Sequence, residues 1–213
     1  MKTLLALLVA TQVAGALHAQ APLRATIHAG PNWYWSRSRT AAGGETTTGV
    51  GLGVGGSVGW GPLQLQVSYA EAVLGSDTPG VAERTLVEGE VMAGVQPVQW
   101  LAFWAGPHAR TYALAGGDER WLLWEVRAQA RATLLPNRMY SSLTAWGVAD
   151  GRVDVPEPWG DGRGAEGGLS LRVWGPLMWA HFTYRVEQTR LGDGSRRQTV
   201  EMASLRVSAH FPP

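Results

Sequence analysis

The chain has 213 residues, enough for one domain of ordinary size, of which 16% are charged, and its formal net charge is +1. Its 18 basic residues balance 17 acidic ones, which argues against a nucleic-acid-binding protein, because those carry a basic excess. There is no cysteine, so disulfides and cysteine-bound metals are excluded, and the 28 glycines are nearly double the usual share of about 7%.

Residues 1–19 have the layout of a cleavable signal peptide. Met1-Lys2 is a short positive region, residues 4–16 are apolar, and Ala19 is a small residue suited to the cleavage site. The apolar run is too short to span a bilayer comfortably, which takes roughly 20 residues. We therefore predict a signal peptide over 1–19 and a single exported domain over 20–213, which would be soluble or a membrane β-barrel.

Beyond the signal, apolar residues alternate with polar or small ones. From Val50 to Trp60 the even positions are apolar apart from one glycine, and every odd position is Gly or Ser. A period of two is typical of a β-strand whose two faces differ. The ten segments with this pattern are, in chain order, 23–35, 48–60, 63–72, 84–96, 100–112, 122–134, 139–148, 166–173, 178–187 and 203–211.

The connections between these segments alternate between short and long without a break. The short ones contain the Gly, Pro and Asn of tight turns, at 61–62, 96–99, 135–138 and 175–176. The long ones are 36–47, 73–83, 113–118, 149–164 and 190–197. The seventh segment is weakly apolar, so eight or twelve strands are alternatives to ten.

In this pattern the sequence resembles the bacterial outer-membrane β-barrel proteins as a broad class, which have short periplasmic turns and longer extracellular loops. The resemblance implies an all-β fold, a closed antiparallel up-and-down transmembrane β-barrel of about ten strands. It also implies two partners, the outer-membrane lipid and the barrel-insertion machinery. Chains of this class commonly end in an aromatic residue on an alternating last strand, which the insertion machinery recognises. Leu205, Val207, Ala209 and Phe211 resemble this insertion signal. Pro212 and Pro213, however, follow at the position where such chains usually end.

If the apolar faces contact lipid, the opposite faces point into the barrel and carry charges of both signs. Unpaired charges in a narrow interior would be costly, so we expect them to pair and to plug the lumen together with Trp104 and Trp179. The alternative is that the glycine face of the second segment lines a small passage or pocket. The predicted lumen network comprises Glu88, Glu90, Arg110, Glu125, Arg127, Arg131, Glu166, Arg172, Arg185, Glu187 and Arg206.

No motif in the sequence predicts a cofactor, a metal site or an enzymatic activity. The GxGxxG match at 51–56 lies inside a strand and is not followed by a helix, and the histidines lack metal-ligand spacing. The sequence predicts a membrane barrel with a structural role or a role in the passage or binding of an unidentified small solute. Two alternatives are a soluble exported lipocalin-like barrel with its apolar residues inside, and an outer-membrane barrel enzyme, for which His181-Phe182-Thr183 is the nearest local signal.

Overall fold

The computed structural model describes residues 23–40, 43–79, 81–114 and 117–211, and the signal peptide predicted for 1–19 lies outside them. Ten β-strands account for nearly all of the described chain. Among these residues, no helix is long and apolar enough to cross a membrane. The strands are β1 (Leu23–Thr40), β2 (Gly43–Trp60), β3 (Leu63–Ser76), β4 (Arg84–Val98), β5 (Leu101–Leu114), β6 (Gly117–Leu135), β7 (Met139–Val153), β8 (Trp159–Trp174), β9 (Met178–Leu191) and β10 (Arg196–Phe211).

Each strand pairs antiparallel with its neighbours in sequence, and β1 pairs with β10 to close the sheet into a barrel. The closing ladder runs from Ala25 opposite Phe211 to Arg39 opposite Arg197. The predicted all-β, up-and-down topology is confirmed, and the strand number is ten. Closure leaves no unpaired sheet edge, which a barrel exposed to lipid requires.

The strands are longer than the sequence predicted and continue into all five of the predicted long connections. For example, β1 ends at Thr40 and β2 begins at Gly43, within the predicted connection 36–47. Residues there are polar, yet alternation continues, with Ser36 and Thr47 buried and Arg37 exposed. Backbone hydrogen bonds between neighbouring strands form whatever the side chains are. A strand can therefore continue beyond the last apolar residue of its segment.

A continuous apolar belt surrounds the outer surface of the barrel. Its members are highly exposed, as with Val126 at 56% and Leu143 at 61%. Aromatic residues frame the belt, as they do at both interfaces of a transmembrane barrel. At the turn end these are Trp60, Trp100, Trp174 and Phe211, and towards the other end they are Trp35, Tyr69, Trp124 and Tyr184.

Polar and charged side chains instead occupy the interior. On β6 the exposed Val126 alternates with Glu125, which is buried, and on β5 Arg110 is only 1% exposed. A soluble barrel of lipocalin type would need the reverse arrangement, with apolar residues inside and charges in water. The faces are therefore those predicted for a barrel in lipid.

Candidate functional site: the barrel lumen

Ion pairs cross the middle of the lumen and join strands on opposite sides. Arg110 on β5 donates to both carboxylate oxygens of Glu187 on β9, at 2.9 and 3.2 Å. Its Nε donates to Glu88 on β4 at 2.9 Å, and Glu88 also accepts from Arg185 of β9 at 2.8 and 3.0 Å. The Tyr34 hydroxyl on β1 adds a bond to Glu88 at 3.1 Å. Four strands are thus tied together through one buried carboxylate and its neighbours.

A second chain of contacts runs along the adjacent wall. His108 Nδ1 lies 2.7 Å from Oε1 of Glu125, and Arg127 Nε donates to the other oxygen of that carboxylate at 2.8 Å. Arg127 also donates to Glu90 at 2.6 Å. Because His108 Nε2 lies 3.5 Å from Glu88, this chain is joined to the cross-lumen pairs.

Four members of the predicted lumen network stand apart from these chains. Glu166 and Arg206 line the same cavity as Glu90, and neither has a hydrogen bond or ion pair to another described side chain. Arg131 is exposed near the turn end, with its guanidinium 4.5 Å from the centre of the Tyr140 ring. Arg172 lies beside Trp174, at a separate cavity. The structure therefore brings seven of the eleven predicted residues into one connected set: Glu88, Glu90, Arg110, Glu125, Arg127, Arg185 and Glu187.

Glycines make room for large side chains in the lumen. A Cβ on Gly94 would lie 2.4 Å from the ring of Trp104, its partner across β4 and β5. On β2, a Cβ on Gly53 would lie 2.7 Å from the amide nitrogen of Asn32. Tightly packed interiors do not tolerate such approaches, so glycine is needed at these positions. Gly53 also borders a small polar cavity, so the glycine face of β2 both accommodates neighbours and lines a pocket.

An apolar cluster fills the lumen beyond the ion pairs, towards the end with the longer connections. Trp121 and Leu123 of β6 are almost fully buried there, as are Leu74 and Leu191, which the sequence analysis placed in connections. This cluster was not predicted from the sequence, although the alternation continues past the charged residues and places these side chains inside. The buried members of the apolar cluster are Tyr34, Ala72, Leu74, Leu86, Tyr112, Trp121, Leu123, Leu191, Val200 and Met202.

A polar layer covers the outer side of the apolar cluster. The Trp121 indole donates to Glu119 at 2.9 Å, and Arg196 of β10 donates to both oxygens of Glu119 at 3.0 and 3.1 Å. Trp159 packs edge-on against Trp121, with the ring centres 6.5 Å apart. These contacts fix the Trp121 side chain across the lumen.

The space left in the interior is divided into small compartments. Two polar cavities of about 70 and 60 Å³ share Arg127, Glu166 and Arg185 in their walls, and a third of about 40 Å³ lies beside Glu119. Each has room for only a few water molecules. A much larger, open cavity of about 690 Å³ lies at the turn end.

Two of the lumen histidines, His181 and His210, form hydrogen bonds with serine hydroxyls. His181 lies 2.7 Å from the Ser170 hydroxyl and 2.6 Å from that of Ser208, and no carboxylate orients it among the described residues. His108, Glu125 and Glu187 are close enough together for one metal ion. However, both carboxylates already accept from arginine, so this set fits the ion-pair network better than a metal.

The closed antiparallel barrel has counterparts among solved structures. The translocator domain of the autotransporter NalP from Neisseria meningitidis has a TM-score of 0.53 at 12% identity, covering 99% of this chain and 96% of that one. The fold is that of an outer-membrane β-barrel. No known family model matches the sequence of this barrel, and no curated protein does.

Two further solved structures match this outer-membrane barrel with lower TM-scores. Neisserial surface protein A has a TM-score of 0.39 at 13% identity, with 89% of this chain and 97% of that one covered. The outer-membrane protein OprG from Pseudomonas aeruginosa has a TM-score of 0.39 at 10% identity, with 91% and 98% covered.

Proposed function

We propose that the chain is an integral outer-membrane protein whose lumen is closed at rest, and that its role is structural or ligand-binding. The observation that carries the membrane assignment is the exposed apolar belt around a charged interior. Lipid is the one solvent that stabilises this arrangement, because water would leave the belt unfavourably exposed. The short turns would face the periplasm and the longer connections the cell surface, as in barrels of this class.

Assembly would proceed by export through the signal peptide at 1–19 and delivery to the barrel-insertion machinery. The side chains of the proposed insertion signal, Leu205, Val207, Ala209 and Phe211, all lie on the outer face of β10. Since β10 pairs with β1 to close the barrel, recognition of this strand would precede closure. We propose no cofactor and no enzymatic activity.

The proposal that the lumen is closed has two supports. The pairs between Arg110, Glu88 and Glu187 brace the middle of the lumen, and the apolar cluster around Trp121 fills its outer part. Ten strands make a barrel far narrower than the 16-stranded aqueous porins. A second candidate function, passage of a small solute, is favoured by the two polar cavities that share the Arg127 side chain, and it requires these closures to move.

Membrane fractionation tests the assignment, followed by electrophoresis of the detergent-extracted protein with and without boiling. We expect recovery in the outer membrane and a mobility shift on boiling, because a closed barrel stays folded in detergent until it is heated. Recovery as a soluble periplasmic protein would overturn the proposal. Ion conductance in planar bilayers then separates the two roles: a closed barrel gives no steady current, and a stable open channel supports passage.

A further inference from the structure

The turn end of the barrel opens into the cavity of about 690 Å³, here called the vestibule. Inward-facing residues of most strands line it, among them Arg24 of β1, Arg131 of β6 and Trp179 of β9. Its volume lies within the range of about 300–1,000 Å³ that is usual for small-molecule sites. The ion pairs and the apolar cluster close the lumen beyond it, so the vestibule is a cup that opens at one end only.

Positive charge is concentrated in the vestibule. Its lining includes the guanidinium groups of Arg24, Arg131 and Arg138, and no Asp or Glu is among the described lining residues. The field inside the vestibule therefore favours an anion.

The vestibule arginines keep most of their hydrogen-bonding capacity. Arg24 donates to the Gly61 carbonyl at 3.1 Å, and Arg131 stacks on Tyr140, whereas neither these two nor Arg138 forms an ion pair within the described residues. A guanidinium offers five donors in a planar fork that matches a carboxylate or a phosphate. Three such forks around one cavity could bind an anion with two or three acidic groups.

One side of the vestibule is lined by three aromatic rings, with 49° between the planes of Tyr140 and Trp179 and 44° between those of Trp179 and His210. The ring centres of Tyr140 and Trp179 are 5.4 Å apart, and those of Trp179 and His210 are 5.8 Å apart. Across the cavity lie amide side chains, including those of Gln64 and Gln96. The aromatic faces would pack against a flat ring, while the amides would supply neutral donors and acceptors.

We propose that the vestibule binds a small organic anion that carries two or three carboxylate or phosphate groups on a flat ring. The acidic groups contact Arg24, Arg131 and Arg138, and the ring packs on Tyr140 and Trp179. The anion-binding proposal rests on the proposed function only for the closed lumen, which leaves the vestibule open at one end. Its test measures binding and involves no transport, so failure to bind an anion would not contradict the proposed membrane barrel.

Calorimetric titration of the folded protein in non-ionic detergent at low salt tests the proposal. The probe is benzene-1,3,5-tricarboxylate, with citrate as a trianion without a ring and benzene-1,3,5-trimethanol as a neutral ring. We expect saturable binding of the tricarboxylate, weaker binding of citrate and none of the neutral compound. Absence of saturable binding of the tricarboxylate would overturn the proposal. Equal affinities for the tricarboxylate and for citrate would overturn the part of it in which the ring packs on aromatic side chains.

Matched variants locate the site. Arg131→Gln and, independently, Arg138→Gln should each weaken binding about tenfold or more, because each removes charge-assisted hydrogen bonds. Arg152→Gln, at an exposed arginine towards the other end of β7, should bind as the wild type does. The boiling-dependent mobility shift verifies that each variant is folded. If Arg152→Gln weakened binding of the probe as much as Arg131→Gln and Arg138→Gln do, the net charge of the protein, and not the vestibule, would attract the probe.

Discussion

At the scale of single residues, Glu88 joins several of the side chains that cross the lumen. It is buried, it accepts hydrogen bonds from Arg110, Arg185 and Tyr34, and His108 lies close to it. A carboxylate in this position offsets the cost of burying two guanidinium groups. Loss of the Glu88 carboxylate would therefore leave buried guanidinium charge uncompensated.

Replacing Glu88 with glutamine should destabilise the protein strongly. The substitution keeps the size of the side chain but removes its charge, which leaves Arg185 without a charged partner among the described residues and Arg110 with Glu187 as its one carboxylate partner. Breaking a buried pair by removing one partner costs about 3–5 kcal/mol. The free energy of unfolding, from urea titration of the protein refolded into bilayers, measures this effect.

The control for Glu88→Gln is a substitution at an exposed ion pair. Arg120 lies 2.9 Å from Asp118, and 68% of its side chain is exposed. Arg120→Gln should change the free energy of unfolding by no more than about 1 kcal/mol, because surface pairs contribute little. Similar effects of the two substitutions would show that the pairs across the lumen do not brace the barrel.

At the scale of a strand, depth in the membrane should decide what a substitution costs. Val126 and Leu122 both face outward on β6, and Leu122 is only two residues from the exposed Arg120. Val126→Arg should cost more, up to about 4 kcal/mol, because it places charge on the lipid side of the aromatic ring at Trp124, whereas Leu122→Arg, beyond that ring, should cost about 0–1 kcal/mol. Folding yield and urea titration in lipid vesicles measure the difference.

This pair of variants also tests where the membrane lies on the barrel. The strands have 14–19 residues, while about 9–11 tilted residues cross a bilayer, so the structure leaves several residues of each strand outside the lipid. Equal costs at Val126 and Leu122 would mean that the hydrocarbon region extends to the end of the belt, beyond the aromatic ring formed in part by Trp124.

At the scale of the whole molecule, the proposal of a closed lumen rests on two groups of side chains in series. The Arg110 pairs cross the middle of the lumen, and Trp121 with its neighbours packs in the part beyond. Arg110→Ala or Trp121→Ala alone should therefore leave the conductance in planar bilayers near the wild-type level, while the double variant should raise it. The mobility shift on boiling confirms that the proteins tested are folded.

Two results would contradict this account of the lumen. A steady current through the wild-type protein would mean that the closures do not seal the lumen. A double variant that is folded but passes no current would mean that a third closure exists, and the small cavities around Glu166 and Arg206 would be the next place to look.

The sequence alone predicted the barrel and, within the ten alternating segments, which face of each strand points inward. On β6 the alternation of Val126 with Arg127 was sufficient, because the two faces of a strand follow from local backbone geometry. The turns at 61–62 and 175–176 were equally clear from their Gly-Pro pairs, and in the structure both glycines have positive φ, 58° for Gly61 and 54° for Gly175. These features depend on neighbours in the chain and need no knowledge of the rest of the fold.

Only the tertiary structure decided which side chains meet inside the barrel. Arg110 and Glu187 are 77 residues apart in sequence and meet across the lumen, at a height set by the register of every strand pair between them. The same register separates Arg131 from the acidic side chains and brings Leu74 against the apolar cluster. Period-two alternation determines direction but not height along the barrel axis. The choice of partners therefore came from closure of the sheet.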